Sequence, residues 1–174
     1  MRIEEKSGDL VITDFNEREA FTIASKIERD GIHFYEKLAE RVTSKRVRDT
    51  LNVLAIQEHD HIEFFEGELF KLRDQEHDPF EEDDLLTSID YGIFQPYQSI
   101  EELEKVLDAP RKALHMGIVI EEKSIRFYES CSGRVSSRGT KAGLVRIIEE
   151  EREHKRLLED MLDNLQEHPM HEGD

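Results

Sequence analysis

At 174 residues, with 37% hydrophobic and 37% charged residues, no Trp and only four Pro and nine Gly, the chain has the length of one domain and the makeup of long amphipathic helices. A formal net charge of −17 excludes a nucleic-acid surface, which needs clustered Lys and Arg, and makes cations the natural small partners, although most of that charge is expected simply to solvate the surface. The single cysteine, Cys131, excludes an intrachain disulfide, a zinc ribbon and a four-thiolate iron site. No stretch reaches the ~18 uninterrupted apolar residues of a membrane span, so a cytoplasmic setting is expected.

Residues 1–14 read as an N-terminal extension without an apolar signal region. A first helix is predicted to begin after Thr13 or Asp14, either able to cap it, and to run without a Pro to about Val42. Ser44 can cap a second helix from about Lys45 to Arg73, and so short a connection makes the two antiparallel neighbours. From Gln75 to Asp108 the pattern gives way to an acidic run, Glu81-Glu82-Asp83-Asp84, then Tyr91, Phe94 and Tyr97, a length suited to crossing a bundle. Within it Ser99-Ile100-Glu101-Glu102 has capping-box spacing and predicts a short helix from Ile100 to Leu107. A third helix is expected from Pro110 to Cys131 and a fourth from Thr140 to Gln166, leaving 167–174 as a flexible tail. The fold expected over 15–166 is an all-α antiparallel four-helix bundle, two helical hairpins joined by a long crossover.

The hairpins repeat each other. An offset of 93 residues carries Glu28 to Glu121, Phe34 to Phe127, Tyr35 to Tyr128, Leu51 to Leu144, Glu58 to Glu151 and His61 to His154. So many matches without a change of register mark an internal repeat and imply an approximate twofold axis.

Steps of three and four trace the face each helix turns inward. The first gives Phe21, Ala24, Glu28, Gly31, Tyr35 and Leu38; the second gives Leu51, Leu54, Glu58, His61, Phe65, Glu68 and Leu72. The third gives Leu114, Gly117, Glu121, Ser124, Tyr128 and Cys131; the fourth gives Leu144, Ile147, Glu151, His154, Leu158 and Met161. Every seam is broken at mid-length by an acid. Four converging buried carboxylates are costly without positive charge, the seams hold no Lys or Arg, and two divalent ions would balance four carboxylates. Glu58 to His61 and Glu151 to His154 are each i to i+3, which directs a carboxylate and an imidazole to one side of a helix. Glu28, Glu58, His61, Glu121, Glu151 and His154 are therefore the candidate metal ligands.

Glu28 with Tyr35, Glu58-His59-Asp60-His61, Glu121 with Tyr128 and Glu151-Arg152-Glu153-His154 resemble the rubrerythrin branch of the ferritin-like di-iron carboxylate superfamily. There, one Glu from each of two helices joins a Glu-x-x-His from each of the other two. The resemblance spans roughly residues 15–166. It implies a homodimer, and hydrogen bonds from Tyr35 and Tyr128 to the ligand carboxylates. Two departures stand out: these residues, with one cysteine, are expected to hold no counterpart of the family's C-terminal rubredoxin domain, and Ser124 occupies the place of an extra Glu one turn after the third-helix ligand, which puts redox-driven iron movement in doubt.

Hard carboxylates mixed with imidazoles favour iron over zinc, with manganese also open. The function expected is an oxidoreductase in which two iron ions reduce hydrogen peroxide or dioxygen with electrons from an external donor. The alternatives are a ferroxidase that handles iron and a non-catalytic structural or partner-binding bundle. Gly31, Ser124, Ala24 and Gly117 are expected either to leave room for metals or a small oxidant, or to let helices pack closely. Glu122, Glu149, Glu150, Glu153 and His59 lie off the seams and are expected as surface groups, as are His33, His77, His115, His168 and His171. Cys131 is expected as a packed thiol.

Overall fold

The computed structural model describes residues 1–6, 9–73, 105–107 and 109–167. Two strands, β1 (Arg2–Lys6) and β2 (Asp9–Thr13), precede four long helices, α1 (Glu17–Arg41), α2 (Lys45–Lys71), α3 (Pro110–Ser132) and α4 (Arg138–Glu167). α1 packs with α2 and α3 with α4 as two hairpins, consistent with a four-helix bundle. Residues 105–107 are helical, and the rest of the short helix expected there, like Tyr91, Phe94, Tyr97, His77 and residues 168–174 of the tail, lies outside the described residues; Glu167 still belongs to α4. None of the described helices is long and apolar enough to cross a membrane.

Capping chemistry sets the ends. Neither Thr13 nor Asp14 starts α1: Thr13 is the last residue of β2, Asp14 turns the chain at φ 50°, and Asn16 is the cap, its Oδ1 accepting a hydrogen bond from the Glu19 amide at 3.0 Å. Asp tolerates this left-handed backbone because its short side chain can bond locally. Ser44 caps α2, as expected, by accepting from the Val47 amide. Pro110 opens α3, where its missing N–H costs nothing. α4 begins two residues before the expected Thr140, because the Ser137 hydroxyl accepts from the Thr140 amide and holds the first turn.

The extension at 1–14 contains an antiparallel hairpin, with Ile3 opposite Ile12 and Arg2 opposite Thr13. Ile12 is buried, and Ile3 and Met1 pack half-buried against one end of the bundle core. The terminal ammonium of Met1 pairs with Glu19 in the first turn of α1.

The apolar core is split in two. One cluster, with Phe21, Ile23, Phe65, Phe127 and Leu144, fills the end beneath the β-hairpin; the other, with Phe34, Leu38, Leu51, Leu54, Leu114 and Leu158, fills the far end. Burying such a side chain contributes on the order of 1.5–3 kcal/mol. Packing on both sides therefore supplies the stability against which a polar layer between the clusters can be held.

Candidate metal centre

That layer holds Glu28 from α1, Glu58 and His61 from α2, Glu121 from α3, and Glu151 and His154 from α4, none more than 2% exposed. No Lys or Arg among the described residues is buried. Among the described residues the groups able to carry positive charge in the layer are therefore its two imidazoles.

The six side chains form two overlapping sets. One donor atom from each of Glu28, Glu58, His61 and Glu151 lies within 4.8 Å of the others, and the same holds for Glu58, Glu121, Glu151 and His154. Glu58 and Glu151 belong to both sets. Distances follow the repeat: His61 Nδ1 stands 2.9 Å from Glu58, 3.1 Å from Glu151 and 3.7 Å from Glu28. His154 Nδ1 stands 3.2 Å from Glu151, 3.3 Å from Glu58 and 3.9 Å from Glu121. The imidazoles face each other with centroids 5.8 Å apart.

Two tyrosines reach across the bundle. Tyr128 on α3 donates to Glu28 Oε1 on α1 at 2.5 Å, and Tyr35 on α1 donates to Glu121 on α3. Both rings are fully buried. Each Glu at the outer edge of the cluster thus takes a hydrogen bond from the opposite hairpin.

Electrostatics divide the carboxyls in the same way. Burial, followed by repulsion from Glu151, pushes Glu28 and Glu121 well above the usual carboxylate range. Burial also opposes ionisation of Glu58 and Glu151, but the adjoining imidazoles outweigh it and hold both below that range. Burial would lower the imidazoles, yet the surrounding carboxylates win: His154 is pushed up to about 9 and His61 is also raised. Burial and then the Glu28 charge raise Tyr128, which keeps the proton it donates.

Both oxygens of Glu151 and both nitrogens of His154 are buried without a hydrogen-bond partner; the approaches around them lack hydrogen-bond geometry. Such orphans are costly in a native interior. Oxygen and imidazole donors converging from four helices, with Glu151 and His154 left without hydrogen-bond partners, fit a pair of cations.

The remaining expectations divide. His33, His59 and His115 are exposed, as are Glu149 and Glu153. Glu150 departs from the expectation: its Oε2 lies 2.9 Å from His61 Nε2, so it joins the cluster's outer edge. Its position one residue before Glu151 puts it off the inward seam, and periodicity alone could not find it. Ser124 turns its hydroxyl to the Ile120 carbonyl at 3.1 Å. A Cβ on Gly117 would meet Leu158 at 3.1 Å and Phe34 at 3.2 Å, favouring the close-packing explanation there, whereas one on Gly31 would make ordinary contact with Glu58. Cys131 is buried, its thiol pushed up to about 12 by that burial, which makes it an inert packed group.

A family model described as Rubrerythrin matches residues 4–78, which include Glu28, Glu58 and His61. No curated protein and no solved structure matches the chain. Glu121, Glu151 and His154 lie outside the matched residues and are tied to the others by the repeat and by the two overlapping groups. Residues 4–78 thus match the rubrerythrin family model, and the second hairpin supplies the other half of the buried Glu/His cluster.

Proposed function

We propose that the cluster holds two metal ions, iron in the first place, and that the protein is an oxidoreductase of rubrerythrin type acting on hydrogen peroxide or dioxygen. The observation that carries this is the pair of overlapping four-residue groups sharing Glu58 and Glu151. Glu28 and His61 would hold one ion, Glu121 and His154 the other, and Glu58 with Glu151 would span both. A di-iron pair supplies two-electron redox chemistry toward a small oxidant, and an external donor returns the electrons.

The chain's own residues do the rest. Four carboxylates balance the charge of two divalent ions, which hard oxygen and imidazole donors suit. Tyr35 and Tyr128 fix the outer carboxylates by hydrogen bonds, the kind of support that orients metal ligands. The apolar clusters above and below exclude bulk water, which strengthens every interaction within the layer.

Anaerobic loading with Fe(II), followed by peroxide, tests the reading. The expected result is uptake of two iron ions per chain, rapid oxidation seen in near-ultraviolet absorbance, and repeated peroxide consumption once a reductant is supplied. Reduced, loaded protein that peroxide leaves unoxidised would overturn it. Sustained Fe(II) oxidation with release of Fe(III) and no peroxide turnover would shift the assignment to iron handling.

A further inference from the structure

The repeat is faithful around the inner cluster and fails just outside it. His61 turns Nδ1 toward the shared carboxylates and Nε2 toward Glu150 on α4, 2.9 Å away. The other oxygen of Glu150 lies 3.8 Å from Nε of Arg146, one turn earlier on the same helix. Subtracting the 93-residue offset places Val53 opposite Arg146 and Gln57 opposite Glu150. His154, the counterpart of His61, accordingly has a buried Nε2 without a hydrogen-bond partner. One imidazole is backed by a carboxylate with a guanidinium near it; at the two positions that the repeat makes equivalent to these the sequence has an amide and a valine.

The difference has a chemical consequence. A carboxylate accepting from Nε2–H keeps the proton on that nitrogen, so the lone pair of Nδ1 points into the cluster. It also locks the ring plane and increases the donor strength of Nδ1. An imidazole with an unpartnered Nε2 gains none of these. Because Glu150 is 38% exposed and Arg146 62% exposed, their ion pair alone is worth little. The asymmetry bears on the cluster through His61, not on the stability of the bundle.

We propose that Glu150, steadied by Arg146, is a positioning residue that makes the two metal positions unequal: the position at Glu28 and His61 fills first and holds its ion more tightly than the one at Glu121 and His154. The proposal rests on the reading that the cluster holds two ions, and adds an order of filling. It also separates the roles of the two hairpins, since Arg146 and Glu150 belong to the second hairpin but strengthen a ligand carried by the first.

The test is an anaerobic titration of the metal-free full chain with Co(II), followed by visible absorbance and calorimetry, for the unaltered protein, Glu150→Gln and Gln57→Glu. The unaltered protein is expected to bind two ions in two resolved steps. Glu150→Gln should weaken the first step by about ten- to a hundredfold and leave the second within about threefold, while Gln57→Glu strengthens the second step and narrows the gap. Metal-free melts of Glu150→Gln that match the unaltered protein establish that the fold is kept. Two ions bound with the same isotherm in Glu150→Gln as in the unaltered protein would overturn the proposal and leave the two-ion reading standing. An unaltered protein that takes no cobalt would overturn both.

Discussion

Tyr128 on α3 donates a hydrogen bond to Glu28 on α1 at 2.5 Å, and the repeat-related Tyr35 on α1 answers it on Glu121 of α3. The two hairpins are thereby latched at the level of the cluster by bonds that cross between them. Tyr128→Phe keeps the ring that packs on Phe65 and Phe127 and removes only the donor. Leaving a buried carboxyl short of a partner costs about 1–3 kcal/mol, and in a chain of this size each kcal/mol lowers Tm by about 2–4 °C. Metal-free Tyr128→Phe and Tyr35→Phe are each expected to melt several degrees below the unaltered protein. Melts that coincide with it would mean that the latches carry no stability.

The sharing of Glu58 and Glu151 between the two groups predicts a split in stoichiometry. Glu58→Gln and Glu151→Gln remove a charge from both positions, and metal retained after desalting should fall for both ions together. Glu28→Gln and Glu121→Gln each touch one group, and about one ion per chain should remain. Elemental analysis of the four variants decides it. Loss of both ions in Glu28→Gln would show that the groups do not act as two positions.

Much of this arrangement was legible beforehand, for identifiable reasons. Glu28, Glu58, His61, Glu121, Glu151 and His154 interrupt apolar seams of helical period, and a charge inside such a seam is anomalous without knowledge of any neighbour. Glu150 and the cap of α1 are a different matter. Its link to His61 depends on how α2 and α4 sit against each other, which the periodicity of either helix does not contain. The hairpin at Arg2–Thr13 had a local signal in Leu10-Val11-Ile12-Thr13, a β-prone run after Gly8. Its brevity hid it beside helices of 23 to 30 residues. Asn16 replaced the expected caps because β2 had already taken Thr13 and the left-handed turn had taken Asp14.

Removing metal should also give the protein a distinctive pH dependence. Without cations the layer is balanced by protons, on the two imidazoles and on the raised carboxyls of Glu28 and Glu121. His154 is raised in the fold to about 9 from 6.5. Its contribution is fully present below pH 6.5 and is lost as pH rises through 9, on the order of 3 kcal/mol at most. Glu28 and Glu121, also raised, act in the same direction. The metal-free protein is expected to lose Tm steadily between pH 6.5 and 9, while the loaded protein, whose cations replace those protons, keeps it and gains stability from bound ligand. Uptake of two ions at pH 7 should release protons into a weakly buffered solution, and a pH indicator dye measures them. Metal-free melts that rise or stay flat over this range would contradict the balance described here.

Glycines separate the packing argument from the cluster. A Cβ on Gly143 would stand 2.2 Å from Cε2 and 2.5 Å from Cζ of Phe64. That half-buried ring packs edge-on against the fully buried Phe65, centroids 5.3 Å apart, so the shift that a Cβ at 143 demands of it gives up part of that packing. Gly143→Ala gains about 1 kcal/mol of helix propensity and meets an overpacking cost of about 1–3 kcal/mol; the expected balance is a loss of about 1 kcal/mol. At Gly31 the nearest atom to a new Cβ is Glu58 Oε1 at 3.8 Å, an ordinary contact. Metal-free Gly31→Ala should therefore gain up to ~1 kcal/mol, opposite in sign. Denaturant unfolding of both variants measures the difference, and the added variant Phe64→Leu should restore Gly143→Ala if the ring is the obstacle, because residues in contact do not add independently. Equal effects at the two glycines would rule out the close approach of Phe64 as the reason position 143 lacks a side chain.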